Sequence, residues 1–210
     1  MHTRTTPELA QIQIEGTTRA VFLARATLAA GAIVGAGALT PFVSGALAQD
    51  ARVDADVLNF ALTLEYLESA FYKEALSEVP GLSREVRRLA EELRNNEAEH
   101  VAALTAALES VGAKPDKEPR VSFGGAFANE STFLRFANVF EDTGVSAYNG
   151  AATRIKSKGV LRAAGAIVQV EARHAALIRL QRDKPPAPLA FDRPSSEKAV
   201  KRAIQPFLGN

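Results

Sequence analysis

The sequence predicts an all-α protein: a four-helix bundle with one long crossover between helices 2 and 3, followed by a short C-terminal helix. Three observations point there. Past residue 50, apolar residues recur at helical spacing in four blocks. The breaks within the first and second pairs of blocks are short, Pro80-Gly81 and Gly159, whereas the segment between the pairs runs from 112 to 129. Finally, the polar residues that interrupt the apolar stripes fall at matching places in the two halves.

The chain has 210 residues, enough for one ordinary domain with an appendage. It is 47% hydrophobic, so it can bury a core, and its net charge of +1 gives no reason to expect nucleic acid. There is no cysteine. That excludes disulfides, thiolate metal ligands, iron–sulfur clusters held by cysteine and cysteine nucleophiles. Carboxylates and imidazoles are left as the metal-binding side chains.

The first 48 residues read as an export address. Residues 26–48, ATLAAGAIVGAGALTPFVSGALA, carry no charge and are preceded by Arg19 and Arg25. The run ends in Ala46-Leu47-Ala48, a small-x-small pattern suited to signal peptidase. The mature chain is then expected to begin near Gln49, exported to a periplasmic or extracellular compartment and meeting a membrane only on the way. A retained anchor is the rival, since a span needs about 20 apolar residues; Pro41 and the cleavage-like ending speak against it. Thr18-Arg19-Ala20-Val21-Phe22-Leu23 resembles the twin-arginine export motif, but Ala20 stands where its second arginine belongs, so the twin-arginine and general secretory routes both stay open.

Residues 49–184 hold the expected bundle. Helix 1 carries the stripe Leu58, Leu62, Glu65, Ser69, Tyr72, Leu76 and ends at Pro80-Gly81. Ser83 can cap helix 2, whose stripe is Leu89, Leu93, Glu97, His100, Leu104, Leu108, Val111. The link GAKPDKEPRVSFGGAFAN follows. Extended, it reaches about 60 Å at about 3.3 Å per residue, more than the about 39 Å of a 26-residue helix. It can therefore return the chain to the end where helix 2 began. Asn129 can cap helix 3, expected over about 130–157 although Gly144 and Gly150 weaken it. Gly159 separates it from helix 4, about 160–183, which Pro185-Pro186 ends. Residues 185–210 form a proline-rich tail whose one amphipathic segment, SSEKAVKRAIQPFL, can pack on the bundle.

Only three histidines occur, and both that lie beyond His2 follow a glutamate by three residues: Glu97–His100 and Glu171–His174. Residues three apart on a helix differ by about 60° in direction, so each pair shares a face, and that face is the apolar one. A lone pair of this kind is ordinarily a solvated surface pair. Two more glutamates make that insufficient. Glu65 interrupts helix 1 with Tyr72 seven residues later, and Glu141 interrupts helix 3 with Tyr148 seven residues later. The halves are offset by 76 (65 to 141) and 74 (97 to 171), which reads as an internal duplication.

Buried charge is costly unless paired or bound to metal. One glutamate from each of two helices, with Glu-x-x-His from each of the other two, is the ligand pattern of di-iron and di-manganese bundles. Four carboxylates balance two divalent cations, and neutral imidazoles add no charge. The expected ligands are Glu65, Glu97, His100, Glu141, Glu171 and His174. Oxygen with imidazole suits Fe or Mn, with Zn allowed by ligand type. Glu68 is a rival to Glu65, but its counterpart in the second half is Gly144, so symmetry favours Glu65 as the ligand and leaves Glu68, with Tyr72 and Tyr148, as a candidate neighbour of the ligands. Glu99 points away from Glu97. Tyr72 and Tyr148 read first as core aromatics and second as hydrogen-bond partners of ligand carboxylates across the bundle.

With these residues in view, the chain resembles the ferritin-like superfamily. LNFALTLEYLESAFY, EAEH, FEDTGVSAYNGA, VEARH and the closing IQPFL resemble exported bacterial ferritin-like domain proteins and plant desiccation-related proteins, over nearly everything from residue 54 onward. The resemblance implies the same six metal ligands, and it implies a fold and a site more firmly than a reaction. Three functions follow as expectations: a redox enzyme oxidising metal or reducing O2 or peroxide, of ferroxidase, peroxidase or catalase type; metal binding or storage without turnover; and a stress- or desiccation-related structural role. Storage as mineral needs a closed homo-oligomeric shell, for which the sequence shows no interfaces. Electron supply through an iron held by four cysteines is excluded within this chain.

Overall fold

The computed structural model describes residues 41–209, with side chains from residue 50 onward. The expected export signal therefore lies mostly outside the described residues. Helix α1 spans Pro41–Glu78, α2 Arg84–Ser110, α3 Glu130–Ala152, α4 Lys158–Gln181 and α5 Glu197–Ile204. No strand occurs among the described residues; a single antiparallel bridge joins Val121 to Leu208.

The helix starts follow from local chemistry. The side chains of Ser83, Asn129, Ser157 and Ser196 each accept a backbone N–H from the first turn of the helix that follows, a cap worth about 1 kcal/mol. Two boundaries differ from expectation. Helix α3 stops at Ala152 rather than near 157, and α4 starts at Lys158, with Gly159 inside its first turn. The cause is tertiary. Asp54 of α1, only 3% exposed, accepts the backbone N–H groups of Lys156 and Ser157 at 2.7 and 2.8 Å. Those two donors are drawn out of helical geometry, and Ser157 is placed to cap α4.

Helices α1 and α2, joined by the turn at 79–83, pack as one pair, and α3 and α4, joined at 153–157, as the other. The crossover runs the length of the bundle. At its start, Asp116 N donates to Asn59 Oδ1 near the beginning of the packed part of α1. At its end, the Glu130 carboxylate accepts from Ser83 N, so α3 begins beside the start of α2 and runs parallel to it. A 3-10 turn at Gly124–Phe127 inserts Phe123 and Ala126 into the core.

The interior has two apolar parts. One is aromatic: Phe71 meets Phe123, Phe127, Phe133 and Phe140 with ring centroids 4.8–5.4 Å apart. Val200 and Ile204 of α5, with Phe207, close that end. The other is aliphatic, built on Leu58, Leu62, Leu104, Leu108, Val160 and Ile167. Along each of the four long helices, the buried glutamates and histidines lie where one cluster gives way to the other.

Candidate metal centre

All six predicted ligands converge between the two clusters. Glu65, Glu97, Glu141 and Glu171 are 0% exposed, His100 3% and His174 2%. One ligand atom each from Glu65, Glu97, His100 and Glu171 lies within 4.8 Å of the others, and the same holds for Glu97, Glu141, Glu171 and His174. Glu97 and Glu171 thus belong to both groups. Each divides its oxygens between them. Glu97 presents Oε2 to His100 Nδ1 at 3.0 Å and Oε1 to His174 Nδ1 at 2.9 Å. Glu171 presents Oε1 to His100 at 2.9 Å and Oε2 to His174 at 3.8 Å. Glu65 closes the first group, its Oε2 at 3.1 Å from His100 Nδ1, and Glu141 the second, its Oε2 at 3.4 Å from His174 Nδ1.

The atoms are close without being satisfied. Glu97 Oε1, Glu141 Oε2, both oxygens of Glu171 and His174 Nδ1 are buried with no hydrogen bond, where buried polar atoms are ordinarily paired. His100 Nδ1 is hydrogen-bonded to Glu65 Oε2 and Glu97 Oε2, but the other contacts, at 2.9–3.8 Å, form no hydrogen bond and fit ligand atoms aimed at a shared third atom. Ligands bound to one ion at about 2.0–2.2 Å and at right angles lie about 3 Å apart. The residues present therefore fit a metal, and two groups sharing two carboxylates fit a pair of them.

A family model for the ferritin-like domain matches residues 53–184. The chain belongs to the ferritin-like family. The matched span covers the packed part of all four long helices and stops before the tail. No curated protein matches the chain. Among the described residues, no helix is long and apolar enough to cross a membrane.

Both tyrosines of this ferritin-like bundle serve the centre. They are core aromatics, as expected first, and their hydroxyls also reach carboxylates. Tyr72 donates to Glu141 Oε1, and Tyr148 donates to Glu65 Oε1 at 2.5 Å. Each half thus supplies the tyrosine that orients the other half's glutamate, and leaves that glutamate's second oxygen facing the histidine group. The seven-residue Glu–Tyr spacing repeated in the sequence was the signal for this.

The electrostatics show how strongly the buried carboxylates and imidazoles act on one another. Burial alone would lower the pKa of His100, but the carboxylates of Glu171, Glu65 and Glu97 around its ring raise it to about 12. His174 is likewise pushed up to about 12 by Glu141, Glu171 and Glu97 against the effect of burial. Burial and neighbouring carboxylates hold Glu65 well above the ordinary value. Burial raises Glu141 to about 8 against the pull of His174. Glu97 goes the other way: burial opposes its charge, yet the two imidazoles beside it bring it down to about 2.

Two further residues lie at the cluster, one that the sequence did not mark and one that it ranked below Glu65. Asn96 was not singled out, yet its amide lies 3.1 Å from His174 Nε2, on the ring edge away from the carboxylates. An imidazole that binds metal through Nδ1 carries its proton on Nε2 and needs an acceptor there, which the Asn96 amide oxygen supplies once the amide is turned. Glu68, demoted by the symmetry of the halves, is 2% exposed and lies among Glu171, Glu141, Glu65 and Glu97. The stripe read for helix 1 was too narrow. Leu64, Leu67, Glu68 and Phe71 form a second buried row beside it, because α1 packs against α3 as well as α2. Glu99 is exposed, as expected.

Proposed function

We propose that this protein holds two divalent ions, Fe or Mn, between its helices and uses them to oxidise metal or to reduce O2 or peroxide. The observation that carries this is the sharing of Glu97 and Glu171. Each turns one oxygen toward the His100 group and the other toward the His174 group, as carboxylates that bridge two ions do. Glu65 with His100 would hold one ion, and Glu141 with His174 the other. The charges of four carboxylates and two divalent ions then cancel, which offsets the cost of burying them.

Iron or manganese bound there would supply one electron per ion by passing from the divalent to the trivalent state. Two electrons and two protons convert one hydrogen peroxide to two waters. The chain's own contribution is positional. Tyr72 and Tyr148 fix the terminal carboxylates, Asn96 sets the tautomer of His174, and the apolar clusters on either side keep bulk water out. Zn fits the ligands but cannot change oxidation state in this way.

The first test is metal content. Mature protein loaded with Fe(II) or Mn(II) and then desalted is expected to retain two ions per chain, and Glu97→Ala, which removes a shared ligand, to lose both. Retention of no metal by the unaltered chain contradicts the proposal. Loss of peroxide, or oxidation of Fe(II), beyond that seen with Glu97→Ala then separates turnover from mere binding. A structural metal, as in a stress-protective role, is the second reading, and the near-complete enclosure of the ligands favours it. On that reading metal raises the melting temperature while peroxide loss stays at the level of the variant.

We also propose that the chain is exported, on the strength of the uncharged run 26–48 and its Ala46-Leu47-Ala48 ending. Cleavage there would remove about two turns from the start of α1 and leave Asp54, the first buried side chain described in that helix, in place. Mass spectrometry of the exported protein is expected to find Gln49 at its N-terminus; an intact chain retained in the cytoplasm would exclude export.

A further inference from the structure

Building on the two-ion reading, we propose that Glu68 is a fifth carboxylate ligand of the centre, binding on the Glu141–His174 side and favouring the trivalent state of the metal. Glu68 is enclosed, and its Oε2 has no hydrogen-bond partner. The charged groups that act most strongly on it are carboxylates: Glu171, Glu141, Glu65 and Glu97. A side chain buried for structural reasons alone would normally have found a donor. Glu68 stands outside the two groups of mutually close ligand atoms, but its carboxylate and the unpaired Glu171 Oε2 border the same space beside Gly144.

Gly144 shows where the carboxylate sits. A Cβ added at Gly144 would lie 3.1 Å from Glu68 Oε1, and 3.7 Å from both Glu68 Oε2 and Glu171 Oε2. Glu171 Oε2 is the oxygen turned toward His174. Glu68, carried on the same helix as Glu65, therefore sends its head to the other ion's side, into room that the missing side chain of α3 leaves open. Gly144 is also the duplicated counterpart of Glu68, each standing three residues after a predicted ligand (65 to 68, 141 to 144). The six predicted ligands and the tyrosines Tyr72 and Tyr148 come in pairs. Among the buried carboxylates of the cluster, Glu68 is the one whose counterpart is a glycine, so one carboxylate occupies the place of two.

The consequence is a charge imbalance. Four carboxylates neutralise two divalent ions, and a fifth leaves the all-divalent centre one negative charge in excess. Removing one electron from the metals restores neutrality. In a site without bulk water, that difference acts at short range and with little screening. Glu68 thus stabilises the oxidised centre relative to the reduced one.

The test is a reductive titration of iron-loaded protein, followed by its absorption spectrum, at full loading of each variant. Glu68→Gln keeps the shape and removes the charge. Its oxidised form is expected to be disfavoured at least tenfold, a positive shift of about 59 mV or more for one electron. Gly144→Ala, which keeps the carboxylate but crowds it from the His174 side, is expected to shift the midpoint in the same direction by less, and it carries the test alone if Glu68→Gln does not fold. Midpoints of both variants equal to that of the unaltered chain, with two ions bound in each, would overturn the role of Glu68 and leave the two-ion centre standing. Failure of the unaltered chain to bind two ions would overturn both.

Discussion

Filling the centre should expel protons, and the number can be worked out from the site. Without metal at pH 7, His100 and His174, both raised to about 12, are imidazolium. Glu141, raised to about 8, carries a proton, and burial with neighbouring carboxylates pushes Glu65 and Glu68 toward the protonated form. Glu97, lowered to about 2, does not. Metal ligation needs neutral imidazoles and ionised carboxylates. Two protons must leave the histidines and one Glu141, and Glu65 and Glu68, raised in the same direction, add to them, so at least about three are released per two ions bound. Each adds about one to the slope of log affinity against pH, so apparent affinity climbs steeply from about pH 6 to pH 8. Calorimetric titration with Mn(II) in buffers of different ionisation enthalpy counts the protons directly. Release of one proton or none would refute this account of the site, because the carboxylates would then already be ionised and the histidines neutral before metal arrives.

Three further outcomes follow from the same geometry. The metal-free protein should lose stability as pH rises from about 5 to 9. The raised groups contribute fully below their unfolded values, 6.5 for the histidines and 4.5 for the glutamates, and progressively less as pH climbs toward their folded ones; melting curves of chelated protein across that range check the sign, and metal-loaded protein should hold its melting temperature there. Tyr72→Phe and Tyr148→Phe each strip a buried carboxylate of its donor and should each cost about 1.5–3 kcal/mol in metal affinity, similar to one another because the halves repeat; calorimetry measures both. Gly150→Ala should undock the tail, since the new Cβ would fall 1.9 Å from the backbone oxygen of Ser195. Limited proteolysis within 185–196 should then speed up while metal content stays unchanged.

The bundle was legible in the sequence because its causes are local and periodic. Apolar spacing marked the four long helices, Pro80-Gly81 and the prolines after residue 184 marked breaks, and the length of the 112–129 link required a crossover. The six clustered side chains were legible because charge on an apolar stripe is a violation that repeats. What escaped depended on neighbours distant in sequence. The end of α3 is set by Asp54, about a hundred residues earlier, and nothing near Lys156 announces it. The two glycines of α3 looked like weaknesses, whereas Gly150 admits the backbone of the tail and Gly144 admits the head of Glu68. The symmetry that exposed the duplicated site also ranked Glu68 below Glu65, because an argument from matching halves favours the residue that has a match. Asn96 carried no signal at all; only the position of the His174 ring gives it meaning.

The central claim is that Glu97 and Glu171 each span two ions. Crystals of the mature chain soaked in Mn(II) or grown from iron-loaded protein, with anomalous scattering recorded at the metal edge, test it most directly. The account predicts two peaks between the apolar clusters, one beside His100 and Glu65 and the other beside His174 and Glu141, with an oxygen of Glu97 and of Glu171 on each. A single peak, or peaks only on surface carboxylates, would contradict it.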